Sequence, residues 1–185
     1  MYPESIITKR DQEIVTARVE SEADYKNSMT KNRGKYVGFM AERKFMGWCQ
    51  KMAFDCQQTN TSNDDFLVNG KKVEVKGKLR SVRTNKDHEA SVFEASISHQ
   101  KPEFFVFGSL FKNNLVQLIG WLEYFEFLDL CRFMKKGSNQ GNMKIKRDSR
   151  NVYHWQTKSM DSFMKINPQD QTTDQWLADY TKPES

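Results

Sequence analysis

Apolar positions recur at two different spacings along this chain, and the switches between them outline its elements. Over residues 11–26, Ile14, Val15, Val19 and Ala23 fall at three- and four-residue steps, which predicts an amphipathic helix. Residues 27–35 are polar and basic, with Gly34 near the end, and predict a loop. Helical spacing returns over 36–56 through Tyr36, Phe39 or Met40, Met46, Cys49, Met52 or Ala53, and Cys56. Residues 57–63 read as a polar loop. The run Phe104-Phe105-Val106-Phe107-Gly108 is continuously apolar, as expected of a strand covered on both faces. Residues 115–121 predict a second strand, forming a hairpin with it. Residues 90–97 fit both periods: Phe93, Ala95 and Ile97 alternate, while Ala90, Phe93 and Ile97 suit a helix. Beyond them, 122–133 predict an aromatic-rich helix, 134–150 an exposed Gly/Asn-rich loop, 152–155 a short strand and 159–166 a closing helix. Residues 174–180 predict one or two further helical turns.

The stretch 64–76 is more specific. Two β-prone runs flank Asn69-Gly70, a dipeptide suited to a two-residue type I′ turn because both central residues must take positive φ. Such a turn sets Val68 opposite Lys71, Leu67 opposite Lys72, Phe66 opposite Val73 and Asp65 opposite Glu74. Period-2 alternation then returns Lys76 to the face of Asp65 and Glu74, while Phe66, Val73 and Val75 point into an apolar layer. Opposed carboxylates repel across a strand pair. A divalent cation between them removes the repulsion, and Mg²⁺ takes hard oxygen ligands, commonly one or two carboxylates with waters and phosphates completing its shell. The alternative is a solvated hairpin of mixed charge.

The spacing Asp65-x₈-Glu74-x-Lys76 resembles the motif of the PD-(D/E)XK nuclease superfamily, with Asp64 standing where that family often has Pro. Together with Asn27-Ser28-Met29-Thr30 and Gly38-Phe39-Met40-Ala41-Glu42, it is similar to the small bacteriophage-encoded members. There a helix carries a further metal-binding Glu, and Ala41 replaces the Gly often found before it. The resemblance implies Glu42, Asp65 and Glu74 as Mg²⁺ ligands (Mn²⁺ substituting), with the Val75 carbonyl as a further ligand. Lys76 would act on the nucleophilic water. From the residues alone, Glu42 borders an apolar stripe and needs either a metal or a basic partner. A glutamine after the crossover assists some relatives, which singles out Gln100; His99 reads as a surface or capping residue.

The resemblance implies an α/β fold, a restriction-endonuclease-like core with a central mixed β-sheet flanked by helices. One domain spans 1–185, with 1–30 as an N-terminal helical extension and 167–185 as a tail. The function expected is a Mg²⁺-dependent deoxyribonuclease, an endonuclease before an exonuclease. The alternatives are a non-cleaving nucleic-acid-binding protein on the same fold and a protein-interaction module.

Charge fits a polyanionic partner: 29 Lys and Arg against 24 Asp and Glu give +5. Candidate DNA-backbone contacts are Lys31, Arg33 and Lys35 in the basic loop, and Lys144, Lys146 and Arg147 in the 134–150 loop. Lys78 and Arg80 share the parity of Lys76 and join them, unless they belong to a solvated strand end. Residues 27–35 have a second reading as a plain surface connection. Thirteen Phe and four Trp supply a core. Three Cys make no disulfide scaffold; on a continuous helix Cys49 and Cys56 would sit roughly 10 Å apart, too far to bridge. No membrane span or targeting segment is predicted, so a cytoplasmic location is expected (in an infected bacterial host if phage-encoded). A homodimer is an option, since cutting two strands takes two sites.

Overall fold

The computed structural model describes residues 2–22, 29–59, 64–99, 101–140 and 143–164. In chain order these form β1 (Glu4–Ile6), α1 (Lys9–Glu22), α2 (Met29–Lys51), β2 (Cys56–Gln58), β3 (Phe66–Val68), β4 (Lys71–Arg80), β5 (Glu89–Phe93), α3 (Glu94–His99), β6 (Phe104–Phe111), β7 (Leu115–Glu123), α4 (Tyr124–Leu130), β8 (Arg132–Met134), β9 (Asn139–Gln140), β10 (Met143–Lys144) and β11 (Ser149–Tyr153). The fold is α/β: a large mixed central sheet, ordered β1-β7-β6-β4-β3-β2, is flanked by helices. Among the described residues, β4 and β6 are its one parallel pair. A second sheet, β5-β11-β8, is antiparallel throughout. Residues 23–28, 60–63, Gln100, 141–142 and 165–185 lie outside the described residues, and with them the C-terminal helical turns and tail.

Alternation along β4 decides which layer each side chain joins. Val73 and Val75 pack with Phe66 and Val68 against Ala41, Phe45 and Cys49 of α2. On the opposite face, Phe105, Phe107, Ile119 and Leu122 meet Ala90, Val92 and Val152 of the second sheet, together with Phe127 of α4. Helix α2 approaches the sheet closely because Gly77 and Gly108 lie beneath Ala41. A Cβ on Gly77 would stand 2.7 Å from the Val37 carbonyl oxygen and 3.0 Å from the Ala41 Cβ.

Several expectations need correcting. Residues from Met29 onward are helical, so the predicted basic loop is largely the first turns of α2. The N-terminal segment is not an extension: β1 pairs with β7, and Ile7, Val15 and Val19 join Val37, Met40, Leu110 and Val116 in one core cluster. Helix α1 starts on a reciprocal cap, the Asp11 N–H donating to Thr8 Oγ1 at 3.2 Å and the Thr8 N–H to Asp11 Oδ2 at 2.8 Å. Helix α2 stops at Lys51, and the chain reverses through Ala53 at φ 58°. Cys56 therefore sits in β2 rather than on the helix, and its thiol and that of Cys49 hydrogen-bond, which with burial raises the Cys49 pKa; neither is in a disulfide. Gln57 and Gln58 pair with β3 instead of looping.

The ambiguous 90–97 segment is both things in succession, β5 then α3. Helix α4 is shorter than 122–133, because Leu122 stays in β7 opposite Phe105 and Arg132 joins β8. The 134–150 loop contains the β9–β10 hairpin, with Gly137 at φ +87°. The closing helix is a 3-10 turn at Met160–Ser162.

Candidate active site at the β3–β4 hairpin

The hairpin register is the one the Asn69-Gly70 turn requires: Phe66↔Val73, Leu67↔Lys72 and Val68↔Lys71. Asn69 and Gly70 take φ of 49° and 78°. Strand β3 begins at Phe66, and just before it the Asp65 carboxylate reaches the edge of β4: Oδ2 accepts from the Val75 N–H at 2.7 Å. In extended backbone one residue's N–H and C=O point the same way, so the Val75 carbonyl lies on the Asp65 side of β4 too.

Glu74 is the most constrained group here. Its side chain is 3% exposed, Oε1 accepts from Lys76 Nζ, and Oε2 has no hydrogen-bond partner. Burial, then the Asp65 charge, push its pKa up to about 7 against the pull of Lys76, and the Glu42 charge adds to the rise. Asp65 is raised in the same way by burial, opposed by the Val75 N–H and the charges of Lys76 and Arg18. The four predicted chemical residues thus act on one another electrostatically.

Glu42 arrives from the helix layer. It is 6% exposed, and Oε2 accepts from Arg18 Nη1 of α1 at 2.6 Å and from Gln58 Nε2 of β2 at 3.5 Å. The Arg18 guanidinium also lies 3.7 Å from the Phe39 ring centroid. So the basic-partner reading of Glu42 holds in this structure, and the partner is Arg18, 24 residues earlier. Among the described residues, no group of three or more His, Cys, Asp or Glu side chains is set to hold a metal ion. Asp65, Glu74 and the Val75 carbonyl nevertheless offer hard oxygens of the kind Mg²⁺ takes. The orphaned, buried Oε2 of Glu74 is the observation that fits a cation.

The cationic candidates divide. Arg33 and Lys35 are exposed on the first turns of α2, and Lys144, Lys146 and Arg147 are exposed on or beside the β9–β10 hairpin; the Lys31 side chain lies outside the described residues. Lys78 and Arg80 keep the predicted face but form no open rim. Lys78 Nζ reaches the Glu89 carbonyl and Ser91 Oγ, each at 3.3 Å, and Arg80 Nη2 donates to the Glu89 carbonyl. Strand β5 covers them, and burial together with the Arg80 charge lowers the Lys78 pKa to about 8. Arg80 Nη2 also lies 3.4 Å from His154 Nε2, beside a buried Nδ1 with no partner.

Sequence reasoning missed Arg18, Gln58, Glu89 and His154. Only Arg18 left a signal, as a cation on the helix that borders the acid-bearing one. No protein-family model and no curated protein matches the chain. No helix among the described residues is long and apolar enough to cross a membrane.

Proposed function

We propose that this chain is a metal-dependent nuclease that hydrolyses phosphodiester bonds in DNA, an endonuclease on a restriction-endonuclease-like core. The observation that carries this reading is Glu74: a buried carboxylate, half unpartnered, within the field of the Asp65 charge and paired with Lys76. Burying such a group costs free energy unless something compensates it, and a cation with a phosphate would. Asp65, Glu74 and the Val75 carbonyl would hold Mg²⁺ (or Mn²⁺), with Glu42 joining once Arg18 releases it. When bound, the metal supplies Lewis acidity toward a phosphoryl oxygen and acidifies a water near neutral pH. Lys76 would leave Glu74, orient the attacking water through its ammonium and stabilise charge gathering on phosphorus. Arg33, Lys35 and the 144–147 cations would track the DNA backbone. Duplex cleavage would take two such sites, which a homodimer provides.

The test is digestion of linear, circular, branched and single-stranded DNA with Mg²⁺ or EDTA, comparing wild type with Lys76→Ala. Metal-dependent cutting lost in the variant is the expected result. Linear DNA digested with circular DNA left intact would refute the endonuclease form. A second reading, a nucleic-acid-binding protein that does not cut, is favoured by one observation: Arg18 and Lys76 already neutralise Glu42 and Glu74. Binding without cleavage in both proteins would select it.

A further inference from the structure

At the end of β5, the Phe93 ring is 49% exposed, although its cross-strand neighbour Ser149 is buried. The Arg147 guanidinium lies 5.3 Å from the Phe93 ring centroid. Around the pair opens a cleft of about 460 Å³, lined also by Ala95, Ser96, Lys136 and Lys146. Both of its acids are hydrogen-bonded. Glu94 receives Arg150 through Nε at 2.7 Å and Nη2 at 3.1 Å, and Asp148 Oδ1 accepts the Lys136 N–H at 2.6 Å. The cleft therefore combines an aromatic face with three cations against two acids, one of them ion-paired with Arg150. Its position also matters. Arg80 bonds at Glu89, and Lys78 bonds at Glu89 and Ser91, so β5 runs back along β4 and leads Phe93 toward the Glu74–Lys76 segment.

We infer that this cleft binds one nucleotide of single-stranded DNA, its base stacked on Phe93 beside Arg147 and its phosphates held by Lys136 and Lys146. The volume lies in the range of small-ligand sites. Base–aromatic stacking with a cationic backbone track is how single strands are held without sequence preference, and bases stacked inside a duplex cannot reach such a face. The inference rests on the nuclease reading and gives it a substrate class: DNA carrying an unpaired stretch.

The experiment is fluorescence anisotropy of a labelled oligo-dT and of a duplex of equal length, in EDTA, with the full chain. Phe93→Leu, which keeps an apolar side chain without a π face, should weaken oligo-dT binding roughly tenfold and leave the duplex unaffected. Phe93→Trp should retain affinity, with its added emission quenched by oligo-dT. Unchanged oligo-dT binding in Phe93→Leu, or equal losses on both DNAs, would overturn the inference. So would competition by polyglutamate as strong as that by oligo-dT at equal charge. Phe93-dependent binding without Mg²⁺-dependent cleavage would sink the nuclease reading and leave the cleft assignment standing. Cleavage with Phe93-independent binding would do the reverse.

Discussion

Glu74→Gln should stabilise the metal-free protein at alkaline pH and do little at acidic pH. The glutamate ordinarily titrates at 4.5, and in the fold at about 7. The folded state therefore holds this proton more tightly than the unfolded chain, so stability is fully present below 4.5 and falls as pH rises toward 7. At about 1.4 kcal/mol per tenfold change in proton affinity, the ionised carboxylate costs the fold about 3 kcal/mol by pH 8. With 3% of the side chain exposed, solvent screening takes little from that figure. Glutamine keeps the shape and drops the charge. Urea denaturation in EDTA should give a variant-minus-wild-type gap under about 1 kcal/mol at pH 5 and about 3 kcal/mol at pH 8. Divalent metal should then close most of the gap at pH 8: Mg²⁺ at a hundred times its dissociation constant adds about 2.7 kcal/mol to a protein that binds it, and the variant has lost a ligand. A gap independent of pH would refute the burial argument. A wild type that Mg²⁺ fails to stabilise at pH 8 would refute the cation argument separately.

Arg18→Ala takes the guanidinium from the Glu42 carboxylate, and with Arg18 about one-third exposed the expected loss is about 1–3 kcal/mol; thermal melts in EDTA should show it, and Mg²⁺ should restore part of it if Glu42 belongs to the ligand set. Gly77→Ala places a methyl against the Val37 carbonyl, so α2 must lift from β4 at a cost of about 1–3 kcal/mol, read as a lower urea midpoint; an unchanged midpoint would refute the close approach of Val37 to Gly77. His154 is held neutral, its pKa lowered to about 3 by burial and by Arg80. Because the unfolded chain takes up that proton below 6.5, stability should fall by about 3 kcal/mol between pH 7.5 and 4.5 from this group, and His154→Gln should remove that share of the slope. Identical slopes in both proteins would contradict it.

Half of the candidate site was legible because it is local. Two residues, Asn69 and Gly70, fix a turn; the turn fixes the register; the register fixes which side chains share a face with Glu74. Each step is a steric rule acting within a dozen residues. The same alternation placed Val73 and Val75 in the core beneath α2, as observed. The long apolar runs that became β6 and β7 were equally plain, since a strand covered on both faces leaves little choice of residue.

What could not be read is what covers each face. Parity assigned Lys78 and Arg80 to the side of Lys76 correctly, yet exposure was a separate matter, decided by β5 folding back over them from a segment whose spacing suited helix and strand alike. Cys56 shows the same limit: its position continued the helical repeat, but a side chain on β2 can fill the same layer once the chain has reversed at Ala53. A hydrophobic period states that a residue is covered and not by which partner. Arg18 is the sharpest case. A buried carboxylate demands compensation, so the position of Glu42 implied some cation. The chain nearby offered Arg43 and Lys44, but those two grip Asp11 and fasten α1 onto α2. That fastening is what carries Arg18 to Glu42. Local cations thus build the frame, and a distant one neutralises the site.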